Sequence, residues 1–117
     1  MTSRYFLPTT LTAAVAAAIT AATLAIAAAA AEPRAVTVDI TKFAFAPKEL
    51  TVAPGTKVVW TNHDDTPHTV AANDKTFASK GLDTDDRFEF TFAKEGDFAY
   101  ICTVHPFMTG MVHVKKP

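Results

Sequence analysis

From Ala35 onward the apolar residues recur at every second position. That period admits a half-buried strand and excludes an amphipathic helix. Val36, Val38 and Ile40 alternate with Thr37, Asp39 and Thr41, and Phe88, Phe90 and Phe92 alternate with Arg87, Glu89 and Thr91. Turn-forming residues punctuate these runs at short intervals, at Pro54-Gly55, Asn62 to Pro67 and Glu95-Gly96-Asp97. Short alternating strands with such punctuation predict an all-β sandwich or barrel.

Taken in order, Phe43 and Phe45 are expected to continue the buried face of the first strand. Leu50 and Val52 make a short strand that ends at Pro54-Gly55, and the β-branched and aromatic run Lys57 to Asn62 makes the next. A polar loop runs to Pro67, after which His68 to Ala71 returns to extended structure. Residues 72–85 mix polar residues with isolated Phe77 and Leu82, and read as a long irregular connection with room for a short helical turn. The strand Arg87 to Phe92 is expected to form a hairpin with Phe98 to Cys102 through Glu95-Gly96-Asp97. Gly110 then permits a turn into a last strand, Met111 to Lys115. That strand turns Val112 and Val114 inward and His113 outward, as a surface residue with no partner in view.

The first 31 residues belong to a different class. Arg4 is their only charge, and an Ala-rich apolar run follows it up to Glu32. A basic start, an apolar middle and a small-residue A-x-A site form a signal peptide. Cleavage after Ala31 is expected, leaving residues 32–117 as one exported, periplasmic domain. A transmembrane anchor is the competing reading of so long an apolar run. The formal net charge of −1 excludes a nucleic-acid binder acting through bulk charge. A single cysteine in an exported chain cannot form an internal disulfide, so it is an intermolecular thiol, a buried bystander or a metal ligand.

Its neighbours favour the metal. Cys102, His105 and Met108 follow one another as C-x2-H-x2-M, all within one tight loop after a strand. Two imidazoles, a thiolate and a weak axial thioether are the donor set of a blue-copper centre. The second imidazole must come from another strand. His63 and His68 compete for it, and His68, entering a strand just after Pro67, is favoured over His63 in its solvated NHDD loop. Met111 begins a strand and reads as a packing or surface methionine, so Met108 is taken as the axial donor. Thr69 and Thr103 each follow a ligand, and a bond between them would tie the two segments together behind the metal. Pro67, Pro106 and Phe107 would form an apolar rim around His105.

Beyond these single positions, FAFAPKELTVAPGTKVVWTN, the PHTV run, FTFAKEGDFAYIC and HPFMTGMVHV together resemble the cupredoxins over roughly Ala35 to Lys115. The short loop CTVHPFM resembles that of the amicyanin-like members. The resemblance implies a Greek-key β-sandwich with one type 1 copper ion held by His68, Cys102, His105 and Met108. Val104 stands where those members commonly have proline, and Thr69 where they have asparagine. The methylamine-oxidising role of amicyanin is therefore not carried over. The implied function is a monomeric, periplasmic one-electron carrier cycling between Cu(I) and Cu(II), which docks transiently with a protein donor and acceptor near Pro67, Pro106 and Phe107. A copper delivery or storage protein is the alternative. No enzyme is expected, because Cys102 and His105 show no third group to orient them for nucleophilic catalysis.

Overall fold

The computed structural model describes residues 34–117 and, before them, 2–5, 13–14 and 16–18. Most of the predicted leader, with its cleavage site, lies outside the described residues. No helix of the described residues is long and apolar enough to cross a membrane.

The alternating sequence forms β1 (Ala35–Thr41), β2 (Ala44–Ala46), β3 (Glu49–Val52), β4 (Thr56–Asn62), β5 (Ala71–Ala72), β6 (Arg87–Phe92), β7 (Gly96–Ile101) and β8 (Thr109–Val114). They make two four-stranded sheets, in the orders β2-β1-β4-β6 and β3-β8-β7-β5. Both sheets are mixed, since β1 pairs in parallel with β4 and β3 with β8, while the other pairings are antiparallel. The inward residues of both sheets form one core around Trp60. Its ring packs edge-on against Tyr100 at 5.5 Å and lies 5.7 Å from both Phe77 and Phe88. Each side chain fully buried there contributes about 1.5–3 kcal/mol relative to an exposed one. The result is the expected all-β sandwich.

Four local expectations give way. The chain does not carry Phe43 along the β1 face. It reverses at Lys42 and Phe43, whose φ angles are 52° and 56°, and β2 returns antiparallel to β1. Phe45 is therefore buried while Phe43 leaves the core, 41% exposed. Strands β6 and β7 are not a hairpin, because β6 pairs with β4 in one sheet and β7 with β8 and β5 in the other. Both strands present aromatic rings to the interior. Phe92 and Phe98 meet across the layers at 5.3 Å. Gly110 is not a turn residue but lies inside β8 opposite Tyr100, whose ring occupies the space a Cβ would need. His113 has partners, with Nδ1 2.6 Å from Asp97 and Nε2 3.5 Å from Glu49.

The connection 72–85 is irregular, as expected, and contains no helical turn. Phe77 and Leu82 anchor it by burying their side chains in the core. Leu82 also exchanges two backbone hydrogen bonds with His68, each amide donating to the other carbonyl at 3.1 and 2.7 Å. This pins the histidine at the end of the sandwich where β7 finishes and β8 begins.

Candidate metal centre

Cys102 leaves the end of β7, and the chain turns at once into a loop closed by its own backbone. The Cys102 amide donates to the Met108 carbonyl at 3.0 Å, and the Met108 amide donates to the His105 carbonyl at 2.9 Å. Two hydrogen bonds in so short a loop leave His105 and Met108 little freedom relative to the thiol. His68 approaches from the neighbouring segment. Cys102 Sγ lies 3.8 Å from His68 Nδ1 and 3.7 Å from His105 Nδ1, and the two Nδ1 atoms are 3.2 Å apart. All three atoms fall within 4.8 Å of one another. His68 and Cys102 are fully buried, Met108 is 2% exposed and His105 is half-buried.

The far side of His68 is organised by Asp64. Its Oδ2 accepts from His68 Nε2 at 2.9 Å. A carboxylate there keeps the ring proton on Nε2 and leaves the Nδ1 lone pair facing the cluster. Asp64 also accepts from the amides of Lys42 at 2.7 Å and Phe43 at 2.9 Å. Burial resists the charge on Asp64, but the Phe43 amide, the His68 ring and the Lys42 amide outweigh it and hold the carboxyl below its usual range. The loop itself is framed by buried Asn62, whose Oδ1 accepts from the Asp64 amide at 2.9 Å and whose Nδ2 donates to the Thr66 and Leu82 carbonyls at 3.0 and 2.8 Å.

Behind the thiol, the Thr69 amide donates to Cys102 Sγ at 3.4 Å. Thr69 Oγ1 accepts the Thr103 amide at 2.8 Å and lies 2.7 Å from Thr103 Oγ1, so the two segments are joined as the sequence suggested. Burial pushes the Cys102 thiol up, yet hydrogen bonding, from the Thr69 amide first, brings it down to about 6. A readily ionised thiol beside the Nδ1 atoms of two imidazoles is a soft, donor-rich point. A cation held there would meet all three atoms at once. The donor set fits a copper ion.

The remaining candidates separate clearly. His63 turns outward to Asp39 at 2.9 Å, and His113 lies near the opposite end of β8. Met111 is half-buried on β8. Pro67 and Pro106 are exposed, as are Val104 at 57% and Phe107 at 71%, and the Phe107 ring lies 6.0 Å from that of His105. Sequence reasoning missed Asp64 and Phe43. An acidic residue four positions before a candidate ligand histidine was a signal for the first, since ligand imidazoles regularly hydrogen-bond a carboxylate through their other nitrogen. Nothing in the sequence signalled the second, whose ring contacts both histidines.

The family model for the cupredoxin-like domain matches residues 12–114. Amicyanin of Paracoccus versutus is 35% identical over 86 residues, covering 69% of this chain and 65% of its own, so the chain spans a little under two thirds of that relative's length. Among solved structures, a purple cupredoxin from Nitrosopumilus maritimus superposes with a TM-score of 0.65 at 33% identity, over 68% of this chain and 99% of that one. The copper-containing nitrite reductase of Thermus scotoductus SA-01 gives a TM-score of 0.68 at 33% identity, over 74% of this chain but only 23% of the larger protein.

Proposed function

Because this chain belongs to the cupredoxin family, we propose that it is a blue-copper protein carrying single electrons between redox partners, with His68, Cys102, His105 and Met108 as ligands. The observation that carries this reading is the convergence of a thiolate and two imidazole Nδ1 atoms at a buried point. Bound copper supplies reversible one-electron exchange between Cu(I) and Cu(II). The chain's part is to keep the ligands from moving. Cys102 is fixed by β7, His68 by Asp64 and the Leu82 backbone, and the loop by its two internal hydrogen bonds. A site that barely rearranges exchanges electrons quickly.

His105 is the half-buried member of the cluster, its ring 6.0 Å from that of exposed Phe107, and exposed Pro67, Val104 and Pro106 are read as completing an apolar rim around it. In this reading the rim is where a donor and an acceptor dock in turn, in the periplasm, after loss of residues 1–31. Apolar residues gathered around an exposed ligand favour contact without a long-lived complex. Delivery or storage of copper is the second reading, but the interlocked loop favours retention over exchange. An enzyme is disfavoured despite the Asp64–His68–Cys102 chain of contacts, which has the form of a thiol nucleophile with its base and orienting acid. Cys102 is 0% exposed, and a substrate could not reach it.

The test is the visible spectrum of residues 32–117 loaded with Cu(II). An intense thiolate-to-copper absorption is expected, abolished in Cys102→Ser and retained through repeated redox cycles in the presence of a chelator. A colourless adduct of the unaltered protein rejects the blue-copper reading. Loss of the ion to the chelator on reduction favours delivery.

A further inference from the structure

The Phe43 ring stands edge-on to both candidate ligand imidazoles at once, 5.2 Å from His68 with an interplanar angle of 89° and 5.1 Å from His105 at 86°. It reaches them from a different strand connection than either histidine. Two consecutive non-glycine residues, Lys42 and Phe43, hold left-handed φ angles to bring it there, a conformation that persists only when its surroundings impose it. The imposing group is Asp64, which accepts both amides of that turn and also the Nε2 proton of His68. One carboxylate thus ties an aromatic cover to the histidine it covers.

Resting on the copper reading above, we propose that Phe43 is a positioning residue of the centre, a cover locked by Asp64 that holds the two imidazoles and shuts water out from their side of the site. The ring contacts His105, the half-buried ligand, directly, whereas no hydrogen bond from Asp64 reaches it. Phe43 is 41% exposed, so part of the ring meets solvent while the rest packs against the two imidazoles. Replacing that cover with water raises the local dielectric, and the higher dielectric favours the oxidation state with the larger net charge. With a thiolate ligand, that is the Cu(II) state.

Three variants test this. In copper-loaded Phe43→Ala protein exchanged into deuterated water, pulsed EPR of the Cu(II) form should show about twice the deuterium modulation of the wild type. Voltammetry should show the Cu(II)/Cu(I) ratio at fixed poise raised about threefold, a midpoint lowered by roughly 28 mV. Phe43→Leu, which keeps an apolar cover, should fall between the two. Asp64→Ala is read in the metal-free protein by NMR. There the amides of Lys42 and Phe43 should exchange at least about tenfold faster, and the ring-current shifts on His105 should collapse although Asp64 makes no bond to that ring. Wild-type deuterium modulation and potential in Phe43→Ala overturn the proposal, and so does an unchanged His105 spectrum in Asp64→Ala. A wild-type protein that takes up no copper instead rejects the proposed function, while the metal-free spectra still decide whether Asp64 locks the cover.

Discussion

Met108 and Met111 differ by one β-pleat and one loop, and that difference decides their roles. Met108 is buried in the loop that its own backbone bonds close over Cys102, whereas Met111 is a half-buried strand residue paired with Ala99. If Met108 supplies the weak axial donor, glutamine there offers a harder oxygen that favours Cu(II). Met108→Gln should lower the midpoint potential by about one to two tenfold steps in the redox ratio, each about 59 mV, and Met111→Gln should leave it within a small fraction of one step. Voltammetry of the two variants checks this, and the reverse ordering would exchange the methionines' roles. The geometry around the thiol was readable in part from adjacency alone. Thr69 and Thr103 each follow a residue of the cluster, and their hydroxyls meet. Phe43 was not readable, because its place depends on two left-handed residues with no glycine to announce them.

At the level of elements, Gly110 shows how a residue can be marked correctly and explained wrongly. It lies in the middle of a β7–β8 pairing with the Tyr100 ring where its side chain would be. Tyr100 is fully buried among Phe45, Trp60 and Phe77, so its ring cannot swing away. Gly110→Ala should therefore cost about 1–3 kcal/mol of stability, as overpacked cores do. Urea unfolding of the metal-free protein measures it, and a loss below about 0.5 kcal/mol would mean that the ring has room to move. The alternation that located β1, β6 and β8 was legible because a period of two fixes which face is buried, and β4 was legible from its β-branched and aromatic composition. Pairing was not. The Glu95-Gly96 connection is short enough for a hairpin, and it is the pairing of β6 with β4 and of β7 with β8 and β5 that assigns them to opposite sheets. His68 and Cys102 were legible as candidates from residue type and spacing, while Asp64 required the loop around Asn62 to be folded before its two roles could be seen.

Across the whole molecule, the chemistry gathers at one end and a clasp that loosens as pH rises lies toward the other. Strand β7 runs from Gly96 to Ile101, next to Cys102, so Asp97 and its neighbour His113 lie near the end away from the cluster. His113 on β8 reaches Asp97 on β7 and Glu49 on β3, joining three adjacent strands of the second sheet. The Asp97 hydrogen bond is the main cause that raises the His113 pKa above 6.5; burial opposes it, and Glu49 adds to it. A histidine whose pKa is higher folded than unfolded binds its proton more tightly in the native state. Its contribution is complete below about pH 6.5, the unfolded value, and is lost as pH rises through the folded value. His113→Gln should remove that contribution, so the variant loses more stability relative to wild type at pH 5.5 than at pH 8.5. Raising salt should shrink the difference, since the pair is partly exposed. Because the clasp and the cluster are at opposite ends, the spectrum of the copper-loaded variant should match the wild type at both pH values. Equal destabilisation across the range, measured by urea unfolding of the metal-free proteins, would mean that His113 contributes through packing alone and not through its charge.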